Sequence, residues 1–360
     1  MYKCCIIAEA GVNHNGDEKL AHKLIEVAYE SGADIVKFQT FKAKNIVTEQ
    51  APQAKYQIEN TGVKETQFEM LSRLELSFEA HIRLIDHCNQ LGIEFLSTAF
   101  DEESLDFLVN TLHLKTLKIP SGELTNAPLV LSHARTGCSI ILSTGMATLA
   151  EIEKTLGVIA FGFLNPIFNN NPTEQDFETA YASHEGQNIL QEKVTILHCT
   201  SEYPAPLEEV NLLAMKTMQS TFKLKSGYSD HTDSITIPIA AAALGAKILE
   251  KHFTLDKKME GPDHKASLDP NELKAMVTQI RQIEIALGNG IKYPQPSEIK
   301  NKEIARKSII LKQPLNAGSI ITKEHITIKR PGTGMSPYQF WSVIGTVSRH
   351  DYSIGDLLDE

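Results

Sequence analysis

A (β/α)8 barrel followed by a small C-terminal domain is the fold this sequence predicts, on three observations. Eight short runs rich in Ile, Leu and Val lack strict apolar–polar alternation, as expected of parallel strands buried on both faces. Amphipathic helical stretches separate those runs, which is the βαβα order of an α/β fold. After Leu287 the pattern stops, and a segment rich in turns takes over. A doubly wound open sheet shares the alternation; a count of eight favours closure into a barrel.

The strands are read as Cys4–Ala10, Asp34–Gln39, Glu94–Thr98, Thr116–Pro120, Ile140–Thr144, Thr195–Thr200, Lys225–Ser229 and Lys247–His252. The helical patterns between them include Glu18–Ser31, Ser77–Leu91, Asp101–Asn110, Leu149–Ile159, Val210–Thr221 and Ser234–Leu244. Three end in a glycine followed by the next strand: Gly32, Gly92 and Gly245. A glycine there supplies the left-handed conformation that closes a helix. Two stretches break the rhythm. Thr40–Leu76 is long and largely polar and is expected as a lid over the strand ends. Phe161–Glu192, with Asn169-Asn170-Asn171-Pro172, is expected as an exposed, partly mobile insertion. The barrel is placed at residues 1–288, a Gly/Pro linker at 289–303 and the C-terminal domain at 304–360.

The chain has 360 residues, 42 % of them apolar, enough to fill a large core and a small one. Its net charge of −10, from 45 acidic and 35 basic residues, argues against nucleic acid or an anionic membrane as partner. Five cysteines without a CxxC spacing read as reduced thiols, and no run is long enough for a secretion signal or membrane span. A soluble, cytoplasmic protein is expected.

Chemistry in such barrels gathers at the C-terminal strand ends. Read in order, these ends carry Glu9, then Lys37 and Gln39, Thr98, Lys118 with Ser121 and Glu123, Ser143, His198, Ser229 with His231, and Glu250 with His252. A lone histidine or lysine here is more often structural or solvated. A polar group on nearly every strand end is harder to dismiss, because burying unpaired polar groups is costly. Lys37 and Lys118, with the hydroxyls of Thr98, Ser121, Ser143 and Ser229, have the makings of an anion site. His231 and His252 close consecutive strands and are candidate ligands for a divalent metal. Glu9, Glu123, Glu250 and Asp263 are candidate acids, bases or hydroxyl binders. Neither a P-loop nor a GxGxxG motif is present, so a nucleotide is not indicated.

Seven segments taken together resemble the bacterial sialic acid synthase family: Glu9–Gly16, Val36–Thr40, Lys118–Glu123, Leu142–Met146, His198–Pro204, Ser229–Thr232 and Glu250–Phe253. Ala305–Ser308 and Lys329–Gly334 resemble that family's C-terminal antifreeze-like (SAF) domain. The resemblance implies that phosphoenolpyruvate condenses with the open-chain aldehyde of a 2-acetamido mannose-type sugar, releasing phosphate and a nine-carbon 2-keto acid. Members make N-acetylneuraminate, legionaminate or pseudaminate. Carried over, His231 and His252 would hold Mn2+ or Mg2+, and Lys37, Thr98, Lys118, Ser121, Ser143 and Ser229 would hold phosphoenolpyruvate. Gln39, Glu123, Tyr203 and Asp263 would bind the sugar, and Glu9 and Glu250 would manage protons and the charge at C2. Arg330 would reach the sugar in a partner's barrel, making a domain-swapped homodimer the active form. Ser201 departs from members that carry Asn there.

Glu9–Gly16 and Ala54–Gln57 of the long connection after the second strand resemble both the neuraminate and the legionaminate branches, so the sugar stays open between N-acetylmannosamine and 2,4-diacetamido-2,4,6-trideoxymannose. A pseudaminate synthase, or another phosphoenolpyruvate-using keto-sugar-acid synthase, shares the barrel chemistry. A carbohydrate- or ice-binding protein on an inactive barrel is the alternative of a different class.

Overall fold

The computed structural model describes residues 3–167 and 171–359. Asn169 and Asn170 of the expected insertion lie outside the described residues. The chain divides into two compact units, Met1–Gly288 and Asn289–Glu360.

Among the described residues of the first unit, eight parallel strands close into a barrel in sequence order. They are β1 (Cys5–Gly11), β2 (Ile35–Thr40), β3 (Glu94–Ala99), β4 (Thr116–Ile119), β5 (Ser139–Ser143), β6 (Val194–His198), β7 (Lys225–Asp230) and β8 (Ile248–His252). Closure is made by β1 on β8, with Cys5 opposite Ile248 and Glu9 opposite His252. Each strand lies within two residues of its sequence-based placement, because the apolar runs that mark them fill both faces of the sheet.

The period of two along each strand builds the interior in layers. Ile7, Ile35, Leu96, Ile141 and Leu197 form an apolar floor, joined by Ile248. Two residues further along the same strands stand Glu9, Lys37, Thr98, Ser143, Cys199 and Glu250. The sequence thus switches from apolar to polar one layer above the floor, and that switch makes the site.

Outside the barrel interior, two large apolar clusters hold most of the helices, and a smaller one around Met70 and Leu74 holds the segment after β2. One includes Leu24, Ile25, Leu84, Leu273 and Ile280 beneath helices Glu18–Glu30, Phe78–Leu91 and Pro270–Ala286. Phe78–Leu91 shows how such a helix is delimited. Ser77 accepts a hydrogen bond from the Ala80 backbone N–H, and Gly92 ends the helix at φ 85°.

Two expectations are corrected. The stretch read as an exposed insertion contains helices Glu174–Ala182 and His184–Lys193, which pack on helix Leu149–Leu164. Phe177 meets Phe161 edge-on at 5.4 Å, and Ala180 and Leu190 are buried. Its acidic, Asn-rich composition hid a narrow apolar stripe. The stretch read as a linker contains an exposed helix, Pro296–Ala305, started by a proline in its first turn.

The second unit pairs β9 (Ser308–Leu311) antiparallel with β10 (Ile326–Lys329). Ile309, Leu311, Leu315, Ile321, Ile326, Val343 and Leu358 form its core.

Candidate active site

The polar layer opens into a cavity of about 280 Å3 at the C-terminal ends of the strands. At its base lie two buried lysines and two buried glutamates. Lys37 Nζ lies 2.8 Å from Glu9 Oε2 and 3.5 Å from Glu250 Oε2, and donates to Thr98 Oγ1 at 3.1 Å. Lys118 Nζ lies 3.4 Å from Glu250 Oε1, which also accepts from Ser229 Oγ at 2.9 Å. Gln39 Nε2 donates to Glu9 Oε1 at 3.3 Å. Ser143 Oγ is buried without a hydrogen-bond partner among the described residues.

Burial acts on all four charges, and the neighbours decide the outcome. Loss of water raises the Glu9 carboxyl, and Lys37 only partly offsets this. Loss of water raises Glu250 too, but the ammonium groups of Lys118 and Lys37 and the Ser229 hydrogen bond outweigh it and hold that carboxyl low. Lys37 is pushed down by burial but ends raised, since two carboxylates face it. Lys118 faces chiefly one, and burial leaves it lowered. The two members of the Lys118–Glu250 contact therefore shift in the same direction: attraction wins at Glu250 and desolvation wins at Lys118. The cluster thus holds one firm anion, Glu250, and one proton-avid carboxyl, Glu9.

Above this base sit the two histidines, both buried, with ring centroids 5.7 Å apart. His231 Nδ1–H donates to the Thr200 carbonyl at 2.6 Å, which leaves the Nε2 lone pair facing Tyr203 Oη at 3.1 Å. Burial lowers His231 to about 4 and His252 well below its ordinary value, so both rings are neutral near pH 7. His252 Nδ1 is buried and unpartnered among the described residues. Neutral imidazoles, one with a fixed tautomer and one with an orphaned nitrogen, fit the donor chemistry of a divalent cation. Among the described residues no cluster of three His, Cys, Asp or Glu side chains is poised to hold a metal ion, so a bound cation would take its remaining ligands from water or substrate.

The upper wall comes largely from the segment expected as a lid. Tyr56, on helix Lys55–Thr61, stacks on Tyr203 at 5.2 Å, and Asn60 Nδ2 donates to the Pro262 carbonyl at 2.7 Å. Gln57, Met70, Leu71 and Leu74 from the same segment also line the cavity. Asp263 faces it from a buried position, its carboxyl raised by desolvation to about 6. The stretch Thr40–Leu76, expected over the strand ends, thus supplies this wall, though the individual side chains that line it were not named as site residues from the sequence. Sequence reasoning missed Cys199, whose Sγ lies 3.2 Å from Ser121 Oγ. Ser121 Oγ in turn accepts from the Gly145 N–H at 2.9 Å.

The strand-end residues named from sequence as site candidates converge on this cavity, together with Ser121, Tyr203 and Asp263. The exceptions are Glu123, Arg330 and His198. The Glu123 carboxylate accepts from Asn126 Nδ2 at 2.7 Å and does not line the cavity. The turn Ser121–Glu123 carries it past the rim. Arg330 belongs to the second unit, where it is exposed and its Nε donates to the Ala305 carbonyl at 3.0 Å. His198 bonds to the Val210 carbonyl at 2.8 Å, away from the cavity.

Residues 24–292 match the model of the NeuB family, and residues 306–359 match that of the SAF domain. The chain is 49 % identical to N,N'-diacetyllegionaminic acid synthase of Campylobacter jejuni subsp. jejuni serotype O:2, over 100 % of both chains. It is 45 % identical to the N,N'-diacetyllegionaminic acid synthase of Legionella pneumophila subsp. pneumophila, covering 99 % of this chain and 93 % of that one. Among solved structures, it is similar to the N-acetylneuraminic acid synthetase from Leptospira borgpetersenii serovar Hardjo-bovis in complex with citrate. There the TM-score is 0.66 at 30 % identity, covering 83 % of this chain and 90 % of that one.

Proposed function

The chain belongs to the NeuB family, and from that premise we propose that it condenses phosphoenolpyruvate with 2,4-diacetamido-2,4,6-trideoxymannose to give N,N'-diacetyllegionaminate and phosphate. The buried Lys37–Glu9–Glu250–Lys118 cluster beside two neutral histidines carries this reading. The choice of sugar rests on the full-length similarity to two synthases of that product.

Lys37, Lys118 and the hydroxyls of Thr98, Ser121, Ser143 and Ser229 bind the carboxylate and phosphate of phosphoenolpyruvate. Ser143 Oγ, buried and without a partner among the described residues, is a donor available to an anion. Gln39, Tyr203 and Asp263 orient the sugar; Glu123 keeps no place in this set, since its carboxylate is turned to Asn126. The C2–C3 π electrons of phosphoenolpyruvate form a new bond from C3 to the aldehyde carbon, whose oxygen takes a proton from solvent. Positive charge then develops at C2, facing the ionised Glu250. Water adds at C2, and Glu9 Oε takes its proton, a role suited to a carboxyl whose proton affinity burial has raised. The C2–O bond to phosphate breaks, leaving the keto acid.

His231 and His252 would hold a divalent cation, Mn2+ or Mg2+, which supplies Lewis-acid polarisation of the aldehyde oxygen. We place the reaction in the cytoplasm, in a homodimer whose Arg330 completes the sugar site of a partner subunit. No helix among the described residues is long and apolar enough to cross a membrane.

Phosphoenolpyruvate labelled with 18O in its bridging oxygen tests the bond-breaking step. The label is expected in the released phosphate. Label retained in the keto acid would show attack at phosphorus and refute water addition at C2.

A further inference from the structure

Behind the two histidines lies a second ion pair that the chemistry above does not use. Side chains alternate along β7 and β8, so Ser229 and His231 face the barrel interior, as do Glu250 and His252. Asp230 and Lys251 face outward and stand opposite each other in the strand register. Both side chains are 0 % exposed, and Lys251 Nζ lies 2.6 Å from Asp230 Oδ2. The same ammonium donates to the Thr232 carbonyl. The Asp230 carboxylate accepts from the Thr232 N–H at 3.0 Å and from Thr232 Oγ1 at 3.1 Å.

The consequence is geometric. Residues 230 and 232 flank His231, and both are tied to one ammonium. That ammonium belongs to the residue immediately before His252. Beyond the backbone pairing of β7 with β8, the segments carrying the two imidazoles are therefore tied to each other by a buried Lys251–Asp230 link on the far side of the sheet. A buried ion pair is a weak source of stability, because desolvation consumes most of its attraction. Fixing a register or a geometry is a better-attested use for one.

We infer that Asp230 and Lys251 are positioning residues, which set the separation and orientation of His231 and His252 from outside the cavity. The inference rests on the reading of that pair as the cation-holding groups.

The test uses the full-length protein and three variants: Lys251→Met, Asp230→Asn, and the apolar pair Asp230→Leu/Lys251→Met. Mn2+ binding is measured by titration, alongside kcat, KM for phosphoenolpyruvate and thermal stability. Supporting groups behind metal ligands are typically worth 10–100-fold in affinity or activity. The single variants are expected to lose about 10–100-fold in Mn2+ affinity and in kcat, with KM for phosphoenolpyruvate changed less than about 2-fold. The apolar pair leaves no orphaned charge, only the Thr232 backbone groups without their partners, so it should regain part of the stability lost in the single variants without regaining kcat or Mn2+ affinity. That split separates positioning from packing and keeps the test decisive even where a single variant fails to fold. Recovery of kcat and Mn2+ affinity together with stability would overturn the inference. A wild-type protein that binds no Mn2+ would instead overturn the metal reading, and the kcat split would still decide the role of the pair.

Discussion

Lys37 Nζ lies 2.8 Å from Glu9 Oε2, with side chains only 3 % and 2 % exposed. Even this close cation leaves the Glu9 carboxyl raised, since burial outweighs the attraction and the nearby Glu250 charge adds to it. Two pH effects of opposite sign follow. As a base, Glu9 must be ionised, so kcat should fall as the pH drops through a value well above the ordinary carboxyl range. For stability, the folded protein keeps a proton that the unfolded chain has already released, so stability is lost as the pH rises through the same window. Glu9→Gln should lower kcat by about 10²–10⁴-fold and flatten both dependences. A pH–rate profile and urea unfolding at several pH values measure them; an unchanged acid limb in Glu9→Gln would remove Glu9 from the proton step.

His231→Ala and His252→Ala should each abolish turnover while leaving the barrel folded, since the apolar floor and the two outer clusters do not include them. The two should differ in stability. Removing His231 takes the hydrogen-bond partner from the half-buried Thr200 carbonyl and Tyr203 Oη, at about 1 kcal/mol each. His252 Nδ1 has no such partner to abandon among the described residues. Denaturant unfolding should therefore rank His231→Ala as the less stable. Wild-type turnover in either variant would refute their assignment.

Gly145 occupies a place where a side chain cannot fit without displacement. A Cβ there would stand 2.2 Å from Ser201 Oγ and 2.9 Å from Ser121 Oγ. Gly145→Ala should therefore raise KM for phosphoenolpyruvate by disturbing the Ser121 hydroxyl, with little change in KM for the sugar. Adding Ser201→Ala removes the nearer clash and should recover part of the loss. Steady-state kinetics on the single and double variants checks this; an equal rise in both KM values would contradict the placement.

The strands and the base of the site were legible because one pattern encodes both. Ile7 then Glu9, Ile35 then Lys37, and Ile248 then Glu250 each place an apolar residue on the floor and a polar one directly above it. The segment forming the wall over the cavity was legible as a long polar connection, but the contacts that seat it were not. Tyr56 reaches Tyr203 across more than a hundred residues, and nothing local in Ala54–Gln57 announces a stacking partner. Glu123 sits in the short turn after β4 and accepts from Asn126 instead of lining the cavity, which strand spacing cannot foresee. Asp230 and Lys251 carry no signal of their own in the sequence; their pairing shows only when β7 and β8 lie side by side, which turns both outward into a buried pair.

The central claim is most directly tested by phosphate release from phosphoenolpyruvate with two sugars offered side by side, N-acetylmannosamine and 2,4-diacetamido-2,4,6-trideoxymannose. Phosphate release should require a sugar, and kcat/KM should favour the diacetamido sugar by at least about 10-fold, within the range a pocket achieves by leaving polar groups unpaired with the wrong substrate. Sugar-independent release, or a preference for N-acetylmannosamine, would contradict it.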